Sequence, residues 1–326
     1  MSGLAGSMRD QHRPIGQAQQ HRLDNCRRLA CRVLLLSSLA ACAAAQEMQP
    51  RAYVPAPTGL NYFGMAFSNN RGGLLLDPGV PVEDGQVHAN LVSFLFGQTL
   101  GVAGRTAQLL AILPYIVANL DARASGAGYE TRRSGTGDAV FRYAMNIFGA
   151  PAMDRKGYAR YRQGTIVGAS ITVSTPTGQY DPNLLINIGT NRWAFKPEIG
   201  VSRAIGKWTV EGAAGVWLYT ANNQYYRNSV RTQVPLGSLQ AHVVRLLPHR
   251  TWFAADWTLY TGGRSAINGR DLPNYQGNTR LGATLGISLR PRHAVKISYF
   301  RGAITRVGTD VSSIGISYNV IWQKGR

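Results

Sequence analysis

The sequence predicts an all-β fold: a transmembrane antiparallel β-barrel of about 12 strands. Three observations predict it. The first is the C-terminal strand, where Ile314, Ile316, Tyr318, Val320 and Trp322 alternate with Ser313, Gly315, Ser317, Asn319 and Ile321. A strand that is apolar on one face and small or polar on the other is half-buried. An aromatic near its end suits a membrane interface. The second is that segments of this kind recur along the chain, each near the 9–11 residues that a tilted strand needs to cross hydrocarbon. The third is that long and short connections alternate, as they do in barrels with short turns at one end and long loops at the other.

The elements follow in order. Phe63, Met65 and Phe67 mark the first strand (about 58–68), and Leu91, Phe94 and Phe96 the second (88–98). The third (106–119) is broadly apolar and contains Pro114, which cannot donate to a ladder. In the fourth, Ala139, Phe141, Tyr143, Met145 and Ile147 oppose Val140, Arg142, Ala144 and Asn146. The fifth spans about 164–174. The sixth sets Trp193, Phe195, Pro197, Ile199 and Val201 against Lys196, Glu198, Gly200 and Ser202. The seventh sets Trp208, Val210, Ala214, Val216 and Leu218 against Thr209, Glu211, Ala213 and Tyr219. The eighth (236–246) has Leu239, Ala241 and Val243 opposite Gln240, His242 and Val244. The ninth has Phe253, Ala255, Trp257 and Leu259 opposite Trp252, Asp256, Thr258 and Tyr260. The tenth alternates Leu281 to Leu289 with Arg280 to Ser288. The eleventh pairs Val295, Ile297 and Tyr299 with Lys296 and Ser298. An even number of strands suits a single-chain bacterial barrel. Long loops are expected at 69–87, 120–137, 175–191, 220–235, 262–277 and 302–310. Short turns are expected near 99–105, 203–207, 247–250 and 290–292. The connection 148–163 is long where a short turn belongs, which suggests a plug or a partner contact. A soluble β-sandwich also alternates, but it seldom keeps large aromatics on a regularly exposed face.

Composition agrees. Hydrophobic residues are 44% and charged residues only 16%, with 37 Gly and 15 Tyr. Mean hydropathy is −0.14, and no apolar run long enough for a transmembrane helix follows the leader. Residues 1–45 form that leader: a basic stretch ending in Arg27, Arg28 and Arg32, a short apolar run from Val33, and Ala43-Ala44-Ala45 as a cleavage site before Gln46. Two cuts compete there, because Leu39-Ala40-Ala41-Cys42 resembles a lipobox that would lipidate Cys42. All three cysteines lie in the leader, so a chain cut before Gln46 has no disulfide framework, thiolate nucleophile or Cys-based metal site. The leader's six Arg and two Asp account for +4 of the +19 net charge, leaving +15. Without Lys/Arg runs or a nucleic-acid motif, this charge points to anionic lipid, lipopolysaccharide phosphates or an anionic solute rather than nucleic acid. Residues 46–57 read as a periplasmic lead-in, too small for a plug, and 58–326 as the barrel.

Ser174-Thr175-Pro176-Thr177-Gly178-Gln179-Tyr180-Asp181 leaves a strand and enters a long loop. Its Pro, Gly and Asp are turn residues. This stretch resembles the bacterial family named for the MetA pathway of phenol degradation. So do Arg51-Ala52-Tyr53-Val54-Pro55-Ala56-Pro57-Thr58-Gly59-Leu60-Asn61, Leu76-Asp77-Pro78 through Pro81-Val82-Glu83-Asp84, and Leu113-Pro114-Tyr115. The resemblance covers about 51–322. It implies an outer-membrane transporter or channel of a Gram-negative bacterium, taking up small hydrophobic or aromatic compounds, and it brings no catalytic residues.

The inward parity selects Arg142, Lys196, Glu198, Glu211, Trp217, His242, Trp252, Asp256, Tyr260, Arg280 and Lys296 as lumen-lining candidates. Their charges either set solute selectivity or neutralise one another in a narrow wet lumen. Trp193, Trp208, Trp257, Tyr299, Tyr318 and Trp322 have the outward parity of interfacial girdles. His88, His242, His249 and His293 lie in no Ser-containing signature and in no pair with ligand spacing. No catalytic residue, metal site or cofactor is therefore expected. Passive passage through a constricted lumen is the expected function, and a non-conducting structural or adhesive barrel the alternative. A soluble periplasmic β-protein is a third possibility. Arg132, Arg133, Arg227, Arg231, Arg264 and Arg270 in the long loops would suit lipopolysaccharide phosphates or attract anions.

Overall fold

The computed structural model describes residues 49–75, 82–124, 127–184, 186–306 and 308–323. The leader, the competing cuts around Cys42 and the stretch 76–81 lie outside these residues. Strand alternation builds one closed sheet. Its members are β1 (Leu60–Leu75), β2 (Val82–Val102), β3 (Arg105–Ala124), β4 (Ala127–Thr136), β5 (Val140–Phe148), β6 (Thr165–Ser174), β7 (Ala194–Ile205) and β8 (Trp208–Tyr219). After two short loop strands, β9 (Asn222–Tyr225) and β10 (Ser229–Gln233), come β11 (Leu236–Leu246) and β12 (Trp252–Gly262). Then β13 (Ser265–Ile267) and β14 (Arg270–Asp271) precede β15 (Gln276–Arg290), β16 (His293–Ile304) and β17 (Gly308–Gln323).

Neighbours in sequence pair antiparallel all the way round. The circle closes where β17 lies beside β1, with Leu60 opposite Gln323 and Leu75 opposite Gly308. Counting β4 and β5 as one interrupted strand, twelve strands form the barrel, as the alternation predicts. The interruption falls at 137–139. Pro114 sits where β3 leaves β5 (Ile112 opposite Val140) and takes up β4 (Tyr115 opposite Thr136). A residue with no N–H fits a position where the ladder is already broken.

The outer surface carries the large apolar side chains, among them Phe63, Phe94, Phe141, Ile199, Phe253, Leu281 and Ile316. Phe63 and Phe94 stack across β1 and β2. The inner surface carries buried Ser93, Asn146, Ser170, Ser202, Thr258, Thr284 and Ser317. This is the reverse of a soluble globule and the signature of a chain whose solvent is lipid outside and water inside.

The short turns fall as expected. Ala103-Gly104 and His249-Arg250 both take the left-handed conformation that two-residue hairpins require. Three expected long loops are largely strand among their described residues: 69–75, 82–87, 120–124, 127–136, 302–304 and 308–310 extend β1 to β4, β16 and β17. On β2 and β3 the alternation inverts already before these extensions. His88 and Asn90 point outward, while Val87, Ala89, Leu91, Ile116, Ala118 and Leu120 face inward and pack on Ile186 and Tyr225. On the outside, Asn69 Nδ2 donates to Asn90 Oδ1 at 2.7 Å. A pattern with polar side chains outward does not read as a lipid-crossing strand, so these extensions look like loops in the sequence.

At the long-loop end, β9, β10, β13 and β14 form a second small sheet. At the short-turn end, the connection 149–164 holds a six-residue helix, α1 (Arg155–Arg160), capped by Asp154.

Candidate functional site

Period-2 alternation places all eleven lumen candidates on the inner face. Arg142 stands on β5, Lys196 and Glu198 on β7, Glu211 and Trp217 on β8, and His242 on β11. Trp252, Asp256 and Tyr260 stand on β12, Arg280 on β15 and Lys296 on β16. Eight of them line one cavity of about 260 Å³: Arg142, Lys196, Glu198, Glu211, Trp217, His242, Tyr260 and Arg280. That volume is far above the ~10–15 Å³ that one water needs. Asp256 lies behind His242. Trp252 packs into the space left by Gly286, and Lys296 sits between Gly286 and Ser317 in register.

The carboxylates of the lumen are occupied. Glu198 accepts from Lys196 Nζ at 2.9 Å and from Gln240 Nε2 at 3.2 Å, with Arg142 Nη2 at 3.8 Å. Glu211 accepts from Ser202 Oγ at 3.0 Å. Asp256 takes His242 Nδ1 at 2.7 Å and Thr284 Oγ at 2.7 Å. Glu198 thus stands beside two cationic side chains and Asp256 beside His242, while Arg280 lies over the Tyr260 ring at 6.0 Å.

The stretch after residue 48, read from the sequence as a periplasmic lead-in, reaches inside the barrel. Tyr53 is 6% exposed. Its hydroxyl donates to Glu198 Oε1 at 2.9 Å and lies 3.2 Å from Ser170 Oγ. Its carbonyl accepts from Asn146 Nδ2 at 3.1 Å. A Cβ at Gly168 or Gly200 would stand 2.2 or 2.3 Å from the Tyr53 ring, so these two inward glycines make its slot. The Arg51 N–H donates to Glu211 Oε2 at 2.6 Å, and its guanidinium lies 5.5 Å from the Trp252 ring. The unexplained connection 149–164 braces this segment. Met153 O accepts from Thr58 N at 2.8 Å, and Ala150 and Pro151 bond Thr106.

A family model described as "Putative MetA-pathway of phenol degradation" matches residues 67–320. The chain belongs to this family. The crystal structure of the COG4313 outer membrane channel from Pseudomonas putida F1 superposes with a TM-score of 0.71 at 16% identity, over 85% of this chain and 100% of that one. The transport unit of the autotransporter AIDA-I from Escherichia coli does so with a TM-score of 0.50 at 7% identity, over 87% and 96%. At these identities the likeness concerns the fold. No curated protein matches.

In this member of the phenol-degradation family, the motif Ser174–Asp181 anchors a lid. Asp138 accepts from Gly178 N at 2.9 Å, Thr190 N at 2.9 Å and Thr190 Oγ at 2.6 Å. Thr175 and Thr177 bond Ala139. The loop is thereby folded over the mouth, where Ile186 and Ile188 join the inward apolar cluster of β2 and β3. Asn222 ties β9 to the same loop through Thr190 O and the Tyr180 hydroxyl.

Sequence parity missed Arg51, Tyr53 and Arg192, which lie in irregular segments without alternation. Arg231, expected outside on a long loop, turns into the mouth and donates to Ser265 Oγ at 3.3 Å. Of the girdle candidates, all six are exposed. Trp193, Trp208 and Trp322 stand at strand ends, and the Tyr318 hydroxyl reaches His293 at the short-turn end, at 2.6 Å. Trp257 and Tyr299 stand near the middle of β12 and β16.

Proposed function

We propose that this chain is an outer-membrane channel for the passive passage of small hydrophobic or aromatic compounds. The observation that carries this is the cavity inside the closed barrel, bounded by Tyr53 at one end and the lid at the other. Trp217, Tyr219 and Tyr260 line it together with Lys196, Arg142 and Arg280. Rings offer stacking surface to an aromatic solute at little entropic cost. The barrel needs no enzymatic step for this role; width, lumen charge and the two closures set selectivity. The short-turn end would face the periplasm and the lid the cell exterior, where exposed Arg132, Arg227, Arg264 and Arg270 suit lipopolysaccharide phosphates.

Single-channel recording of the protein purified from outer membranes tests this. Discrete openings, blocked by phenol or benzoate from the lid side, are expected. A folded barrel that stays silent at every voltage would favour the alternative, a structural or adhesive barrel, for which the filled mouth and the inserted Tyr53 also speak.

A further inference from the structure

Among the described residues, a pair of arginines beneath the lid keeps buried N–H groups without partners. Arg192, just before β7, is 7% exposed. Its Nη2 donates to Gln233 Oε1 at 2.5 Å, while Nη1 is buried without a hydrogen-bond partner. Its guanidinium lies over the Tyr219 ring at 4.3 Å. Arg231, on β10, donates Nη2 to Ser265, and its Nε is likewise buried and unpartnered. It lies over the Tyr225 ring at 5.6 Å. Both arginines line the same cavity as the lumen candidates.

No ion pair joins either arginine to a carboxylate among the described residues. The acid that acts on Arg192, Asp138, is already held by Gly178 and Thr190. Burial first, then the charge of Arg231, pushes the Arg192 guanidinium down to about 9. A buried guanidinium beside a second, partly buried one, each with an unpartnered N–H, costs stability unless something neutralises them. A planar carboxylate is the group that a guanidinium fork binds in two-point fashion. On β8 the Trp217 and Tyr219 rings stand with centroids 6.4 Å apart and planes 13° apart, and Lys196 Nζ lies 5.7 Å from the Trp217 ring centroid, a third cation beside them.

We propose that Arg192 and Arg231 form a binding station for the carboxylate of an aromatic anion, with its ring against Tyr219 and Trp217. The station rests on the reading of the lumen as a solute path and names the class of solute. Inorganic phosphate and chloride share the charge but not the ring.

The test is titration calorimetry on the full-length mature protein in detergent, with benzoate, benzyl alcohol, chloride and inorganic phosphate as probes. Benzoate should bind at least tenfold tighter than benzyl alcohol. Arg192→Gln and Arg231→Gln should each weaken benzoate tenfold or more and leave benzyl alcohol unchanged. Arg264→Gln, at an exposed rim pair with Asp271, should change neither. Heat-modifiable migration on a gel reports that each variant is folded, and either variant alone suffices. Benzoate affinity unchanged in both variants, or chloride or phosphate competing as well as benzoate, overturns the station. The two levels separate cleanly. Conductance without arginine-dependent benzoate binding overturns the station and keeps the channel. Arginine-dependent binding in a barrel that never conducts keeps the station and overturns the channel.

Discussion

Arg192 shows how one side chain acquires a property from its surroundings. Its ordinary value of 12.5 would keep it charged under any biological condition, but burial and Arg231 bring it to about 9. The sign of the consequence is definite. The protonated guanidinium binds an anion, so affinity for benzoate is flat below pH 8 and falls as pH rises through 9, by up to tenfold per pH unit. Benzoate stays ionised throughout this window, since carboxylates titrate near 4. Tyr225, raised to about 12 chiefly by burial, stays neutral in it. Bound anion favours the charged guanidinium and shifts the loss to higher pH at saturating benzoate. Calorimetry from pH 7 to 10.5 checks this. A flat profile would mean that Arg192 keeps its proton across this range, and the same fall in Arg192→Gln would assign the pH dependence elsewhere.

At the scale of elements, the inserted segment 49–57 is held by a glycine slot rather than by bulk. Valine favours a strand but its Cβ at position 168 would overlap the Tyr53 ring. Gly168→Val should therefore expel Tyr53, free Glu198 and Ser170, and raise single-channel conductance severalfold. Tyr53→Ala should do the same, and the double variant no more than either, because both remove one contact. Unchanged conductance in both single variants would mean that Tyr53 does not obstruct the path. This element also marks where sequence reasoning stops. The twelve strands were legible because lipid imposes period-2 alternation on every spanning segment. Residues 49–57 cross no lipid, and no periodicity identifies their partner; only three-dimensional registration brings Gly168, Gly200 and Tyr53 together. The same holds above the membrane, where β1 to β4 continue with polar side chains outward, and for Arg231, whose direction depends on the pairing of β10 with β13. Lumen parity was readable for Arg142, Lys196, Glu198 and Arg280, but their partners were not.

For the molecule as a whole, closure matters most, because the pairing of β1 with β17 turns one face of every strand into a shared interior. Charges far apart in sequence then sum into one field. Lys196, Arg142, Arg192, Arg231, Arg280 and Lys296 face Glu198, Glu211, Asp256 and Asp138, an excess of positive charge in the lumen. Low-dielectric walls focus such a field and raise the local concentration of the opposite ion. The open channel should thus prefer anions, seen as a reversal potential of the corresponding sign in a KCl gradient. Glu198→Gln removes the carboxylate shared by Lys196 and Arg142, so it should increase the anion preference. Arg280→Gln should reduce it, since Arg280 faces an aromatic ring rather than an acid. Both effects should shrink in molar salt, where the Debye length falls to about 3 Å. Cation preference in the unaltered protein, or opposite shifts in these variants, would mean that the solute path does not run past these side chains.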